Sequence, residues 1–149
     1  MTAMSDNEII SELKFCNLKI DPFIEARLTP AGYDFAVELP VEIPPQKHRL
    51  VSTTENITLG HQILATIHLK SSLAREGLVG SFAIIDPGFN GNLTLSLFNA
   101  SDKVISLKRN EPIVHITFYR TGTPANNPYK GKYQNSRGVE RSKRFNNLK

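Results

Sequence analysis

Apolar residues follow two different periods along this chain, and the change comes near residue 18. Residues 5–15, SDNEIISELKF, place Ile9, Ile10 and Leu13 on one helical face. Ser5 stands where a cap would, with Glu8 three positions on, which is the capping-box spacing. This predicts a short N-terminal helix. From residue 18 onward, short apolar or alternating runs are broken by Pro, Gly and Asn. They predict strands over 33–39, 48–53, 61–69, 79–85, 92–99, 103–107 and 112–120. Short strands at this spacing argue for a mainly β protein, a barrel or a sandwich. Residues 71–77, SSLAREG, fit a single helical turn closed by Gly77.

After Arg120 the apolar pattern stops. Residues 121–149 lack the aliphatic side chains to bury themselves, which predicts a β domain over 1–120 and a mobile arm over 121–149. Charge sharpens that division. The arm holds seven Lys/Arg and one Glu, net +6, while residues 1–120 hold eleven Lys/Arg and thirteen acids, net −2. A nearly neutral body with a basic arm suggests an anionic partner for the arm. Tyr129, Tyr133 and Phe145 interleave with the cations, so the arm is suited to closing over a charged ligand. Nucleic acid is the weakest partner reading, because the body has no matching basic face.

The remaining composition excludes more than it assigns. A chain of 149 residues, 40% hydrophobic, fits one domain with a real core. The lone Cys16 rules out an internal disulfide and is expected to be a small buried residue. No apolar run approaches the roughly 20 residues that span a bilayer, and the N-terminus is polar and acidic, unlike a secretory signal. A cytoplasmic protein without a membrane partner is the simplest expectation. His48, His61, His68 and His115 occur singly, with no second ligand at a metal-binding spacing, so no protein-held metal site is expected.

Two short stretches concentrate candidate chemistry. Lys70-Ser71-Ser72, with Arg75 a turn later, sets two cations and two hydroxyls at the start of a helical turn. They make either an anion-binding turn or an ordinary capped turn with surface charges. The second is Ile85-Asp86-Pro87-Gly88-Phe89-Asn90-Gly91, a tight reversal between apolar runs. Asp86 in such a turn is either an Asx-type acceptor of backbone N–H groups or a general base held among Phe82, Ile84 and Phe89. In the strand that follows, Ser96 is polar where Leu95, Leu97 and Phe98 read as core.

These stretches carry a resemblance. KSSLAREGL (70–78), IDPGFNGNLTL (85–95), LFN (97–99) and NPYKGKYQNSRG (127–138) resemble the dCTP deaminase and dUTPase superfamily. LTPAGYDFAV (28–37) and STTENITL (52–59) match it more weakly, and the order is consistent over most of the chain. The resemblance implies a distorted β-barrel assembled as a homotrimer, with active sites at subunit interfaces. It also implies a deoxynucleoside triphosphate bound with Mg2+, the ion held by phosphates and water. On this resemblance Lys70, Ser71, Ser72 and Arg75 meet the triphosphate or organise the reacting end. Asp86 binds the sugar hydroxyl or the attacking water, and Phe89 packs beneath the deoxyribose. Thr94 and Leu95 read the pyrimidine through their backbone. Tyr129 and Lys132 belong to the closing tail, and Ser136 stands where many deaminases have a phosphate-contacting glutamine.

Within the superfamily, Ser96 decides between reactions. The deaminases carry a proton-shuttling glutamate ten residues after the aspartate, and a serine hydroxyl lacks that basicity at neutral pH. The expected activity is therefore hydrolysis of dUTP to dUMP and diphosphate, with Asp86 as the base. A dCTP deaminase is the enzyme alternative. His115 in place of a common glutamine and a short 76–85 segment keep open a third reading, a nucleotide-binding regulatory protein without turnover.

Overall fold

A computed structural model describes residues 2–145. The chain runs β1 (Thr2–Ala3), α1 (Asp6–Lys14), β2 (Leu18–Asp21), a 3-10 turn (Glu25–Arg27), β3 (Leu28–Thr29), β4 (Gly32–Ala36) and β5 (Val41–Ile43). It continues through β6 (His48–Leu59), β7 (Ile63–Leu69), α2 (Ser71–Arg75), β8 (Leu78–Ser81), β9 (Asn90–Asn99), β10 (Ile105–Leu107) and β11 (Pro112–Arg120). The fold is mainly β, as the sequence predicts, but its strands are bonded as three antiparallel sheets. One has β1, β11, β4 and β3 in order, with β7 on the other edge of β11. The second runs β2-β6-β9-β8, and β10 pairs β5 as a two-stranded ribbon. An isolated bridge ties the segment between β8 and β9 to the first of these sheets, Ala65 of β7 and Ile85 exchanging backbone bonds of 3.0 and 2.8 Å.

Both periods predicted from sequence appear. Ser5 caps α1, accepting from the Glu8 N–H, while the Glu8 carboxylate accepts from the Ser5 N–H at 2.8 Å. In β9 and β11 alternate residues enter the core: Leu93, Leu95 and Leu97 from one, Ile116 and Phe118 from the other. They meet Tyr33, Phe35, Ile57 and Leu59 in one continuous cluster. Each such side chain contributes about 1.5–3 kcal/mol on burial.

Several expectations are corrected. Cys16 is exposed: it follows α1 with φ 58, in the left-handed conformation that ends the helix, and turns to solvent. Phe98 alternates out of the core and is exposed. The strand expected over 79–85 ends at Ser81, so Ala83 and Ile84 are exposed before Ile85 rejoins the fold. The strand expected over 48–53 continues to Leu59 through a register shift between Ser52 and Asn56. The polar run there reads as a strand end. It is a bulge that turns Glu55 inward, where it accepts from the Ala36 N–H and from Arg27. Strands β1, β2, β3 and β5 are two to four residues long and were not predicted.

Candidate active site

The strand β9 organises a cleft of about 620 Å³. Thr94 and Ser96 project into it, while Leu95, between them, is buried in the core. The β8 ladder stops at the Ser81–Ser96 pair, which leaves residues 90–95 of β9 without a β8 partner. The arm takes that edge. Asn135 N–H donates to Asn90 O at 2.7 Å, Asn92 N–H donates to Ser136 O at 3.2 Å, and Gly91 and Ser136 form a parallel bridge. Glu140 N–H then donates to Thr94 Oγ1 at 2.9 Å.

Two glycines admit this approach. A Cβ at Gly91 (φ +148) would stand 2.7 Å from the Ser136 nitrogen, and one at Gly88 (φ +88) would stand 2.6 Å from Pro128 Cβ. Gly88 also completes the turn that presents Asp86. Asp86 O accepts from the Phe89 N–H at 3.1 Å, with Pro87 and then a positive-φ glycine between them, a type II turn. Phe89 is buried beneath Tyr129, their ring centroids 5.6 Å apart in an edge-to-face arrangement. Tyr129 N–H in turn donates to Pro87 O at 2.8 Å.

The Asp86 carboxylate is exposed at the cleft, and among the described residues it makes no hydrogen bond or ion pair. The turn is closed by backbone, so the Asx-type role is not the one it plays. The cleft's other carboxylate, Glu140, pairs with Lys143 at 3.0 Å. Around Asp86 the walls are largely apolar, with Phe82, Ile84, Ile85, Phe89 and Leu93. A carboxylate free of partners, on a rigid turn against apolar walls, is equipped to accept a proton from a bound water.

The sequence-predicted residues do not all fall in one place. Asp86, Phe89, Thr94, Ser96, Tyr129 and Ser136 all line the cleft. Lys70 and Ser71 line a different concavity with Asp34 and His115, and no residue lines both. There Lys70 pairs with the largely buried Asp34, whose other oxygen lies 3.1 Å from His115 Nδ1. Ser72 and Arg75 are exposed on α2 and line neither. Lys132 is exposed, its Nζ donating to Lys143 O at 3.1 Å, and stands outside the cleft lining. Sequence reasoning missed His48, which lines the cleft 2.9 Å from Ser96 Oγ. Its signal was the shared parity of His48 and Leu50 with Thr94 and Ser96, visible once β6 and β9 are paired. Among the described residues no group of three or more His, Cys, Asp or Glu could hold a metal ion, and no helix is long and apolar enough to cross a membrane.

This three-sheet fold with a strand-edge cleft is of the dUTPase kind. The EIAV dUTPase matches it with a TM-score of 0.61 at 22% identity, over 77% of this chain and 96% of that one. A dUTPase from phage phi11 of S. aureus, described for coordination of a structural Mg(II) ion, matches with 0.61 at 16% identity, over 76% and 97%. Residues 38–121 match the dCTP deaminase-like family. A dCTP deaminase of Thermococcus kodakarensis is 47% identical over 140 residues, covering 84% of this chain and 90% of the relative. A probable deoxyuridine 5'-triphosphate nucleotidohydrolase of Sulfolobus islandicus rod-shaped virus 1 is 36% identical over 155 aligned residues, covering 94% and 98%. The chain belongs to the dCTP deaminase-like family.

Proposed function

We propose that this protein is a Mg2+-dependent dUTP diphosphatase acting as a homotrimer. The observation that carries the reading is the pairing of a free carboxylate, Asp86, with a serine, Ser96, in one cleft. The first can take a proton from water. The second supplies no carboxylate for attack on a cytosine ring. Asp86 accepts the proton as water oxygen bonds to the α-phosphorus. The bond from that phosphorus to the bridging oxygen breaks, and diphosphate leaves with the electron pair, giving dUMP.

Mg2+ suits this site through the substrate. It is a hard cation that prefers oxygen and keeps several waters, and the triphosphate supplies oxygens where the cleft's carboxylates are Asp86 and the Lys143-paired Glu140. When bound, it neutralises charge developing on the phosphate oxygens. Lys70, Ser71, Ser72 and Arg75 are proposed to meet the phosphates from a neighbouring subunit, because one chain holds them away from its own cleft. Tyr129 and Ser136 cover the cleft from the arm. The arm is proposed to be mobile without ligand and to order over it. A deoxynucleoside triphosphate substrate supports the expectation of a cytoplasmic protein.

The second reading, dCTP deaminase, is favoured by the name of the 47% identical relative. Incubation with Mg2+ and either dUTP or dCTP, with products resolved by chromatography, separates the two. Diphosphate and dUMP from dUTP, with dCTP unchanged, is expected. Any uracil nucleotide from dCTP overturns the reading, as does dUTP left intact. Mass measurement in solution tests the trimer; an active monomer overturns it.

A further inference from the structure

Four of the cleft's hydroxyls differ from Ser96 in what they bond. Thr94 Oγ1 accepts from the Glu140 N–H, Tyr129 OH accepts from the Tyr133 N–H, and Tyr133 OH accepts from the Lys143 N–H. Ser136 Oγ donates to the Tyr133 carbonyl. The first ties the arm to β9, and the other three brace the arm internally. Ser96 bonds to no part of the arm among the described residues; its partner is His48 Nε2 at 2.9 Å. Strand pairing sets Leu50 opposite Ser96 and His48 opposite Phe98. His48 and Ser96 are thus diagonal neighbours on one face of the sheet, where side chains two positions apart stay within reach. Both line the cleft.

We propose that His48 and Ser96 form a base-reading pair that selects a 4-oxo pyrimidine over a 4-amino one, Ser96 making the contact and His48 positioning it. The proposal rests on the nucleotide reading above and names which group of the base is read. An imidazole has three proton states, and two of them carry a proton on Nε2. In both, Nε2–H donates to Ser96 Oγ, and the serine O–H is left to point into the cleft as a donor. Uracil presents an accepting oxygen at position 4. Cytosine presents an amino group there, so donor would face donor, and a polar group left unpaired in a partly apolar cleft is costly. A lone serine would rotate to suit either base. The imidazole N–H takes one of its lone pairs and biases the hydroxyl toward donating, so the discrimination belongs to the pair.

The test uses the full-length protein with Mg2+ and the α,β-imido analogues of dUTP and dCTP, with affinities measured by calorimetry. Wild type is expected to prefer the uracil analogue. Ser96→Ala and His48→Ala are each expected to lower the uracil-to-cytosine ratio about tenfold, the scale of one hydrogen bond. The double variant should lose no more than either alone, because the two act as one unit. His48→Gln, which keeps an N–H donor, should restore most of the ratio. Unchanged ratios in both single variants overturn the proposal. So do losses that fall equally on the two analogues, or effects that add in the double variant. A wild type that prefers the uracil analogue but turns over no dUTP defeats the hydrolase reading and leaves the pair standing. A wild type that binds neither analogue overturns both.

Discussion

Glu55 and Asp86 are both carboxylates set among apolar strands, and the molecule treats them in opposite ways. Glu55 sits in the bulge of β6, fully buried, with one oxygen accepting from the Ala36 N–H at 2.9 Å and the other from Arg27. Burial pushes its carboxyl above the ordinary glutamate range, and the Ala36 N–H and the Arg27 charge oppose that rise. Asp86 sits on a turn closed entirely by backbone, exposed at the cleft, with its carboxylate free of partners among the described residues. A carboxylate whose acceptor capacity is used by the fold is structural. One held rigidly with that capacity left over is available to a substrate. The comparison makes separable predictions: changes at Glu55 should act on stability, and changes at Asp86 on turnover.

The largest effect is expected at Glu55. Glu55→Ala leaves Arg27, whose side chain is 11% exposed, with the Asn110 carbonyl but no carboxylate, and leaves the Ala36 N–H unpaired. Breaking one side of a buried pair costs about 3–5 kcal/mol. Urea unfolding should show that loss, while turnover per folded molecule stays near wild type. A variant with wild-type stability would mean that the bulge is held by its neighbours alone. Asp86→Asn is expected to do the reverse. It should leave the unfolding midpoint within about 0.5 kcal/mol of wild type, as an exposed substitution does. Turnover of dUTP should fall at least about a hundredfold, the scale of a lost general base. Near-normal turnover would make Asp86 a turn residue only.

Which parts of this contrast were legible in the sequence follows from the range of the interactions involved. The capping box of α1, the strand 112–120 and the Gly77-closed turn at 71–75 depend on residues a few positions apart, and periodicity carries them. Six of the predicted site residues, Asp86, Phe89, Thr94, Ser96, Tyr129 and Ser136, do line one cleft. Glu55 was not singled out, because its partner Arg27 lies 28 positions away and the polar run around it imitates a strand end. His48 was missed for the same reason: Ser96 is 48 positions distant and only the β6–β9 register joins them. The separation of Lys70 and Ser71 from the cleft was likewise hidden, since a motif's order along the chain does not say which concavity it lines.

The arm offers a middle-sized effect that tests how it covers Asp86's turn. Gly91→Ala would place a Cβ 2.7 Å from the Ser136 nitrogen, at a φ that L side chains rarely adopt. The arm should lift from the β9 edge while the two sheets remain. Turnover should fall about tenfold, the low end of what a mispositioned covering segment costs. Truncation after Arg120 should cost at least as much and still leave a folded trimer. A non-hydrolysable dUTP analogue should protect the arm of the intact protein from trypsin. Equal cleavage with and without analogue, or full activity after truncation, would mean that the arm serves something other than this cleft.

The smallest effect returns to the buried carboxylate and sets it against Glu8 of the capping box. Glu8 is held below the ordinary value of 4.5, chiefly by the hydrogen bond from the Ser5 backbone. Its contribution is therefore present above 4.5 and is lost as pH falls through its lowered folded value. Glu55 lies on the other side. Its carboxyl is raised above 4.5, so between 4.5 and that raised value the folded chain binds more protons than the unfolded one. Stability must then fall as pH rises through the window and level off above it. The two groups act on adjacent windows with opposite slopes. Urea unfolding at closely spaced pH values should show Glu8→Gln flattening the slope below 4.5 and Glu55→Gln flattening the slope above it. A slope above 4.5 that survives Glu55→Gln would assign that proton uptake to another group and end the case for a strained charge in the β6 bulge.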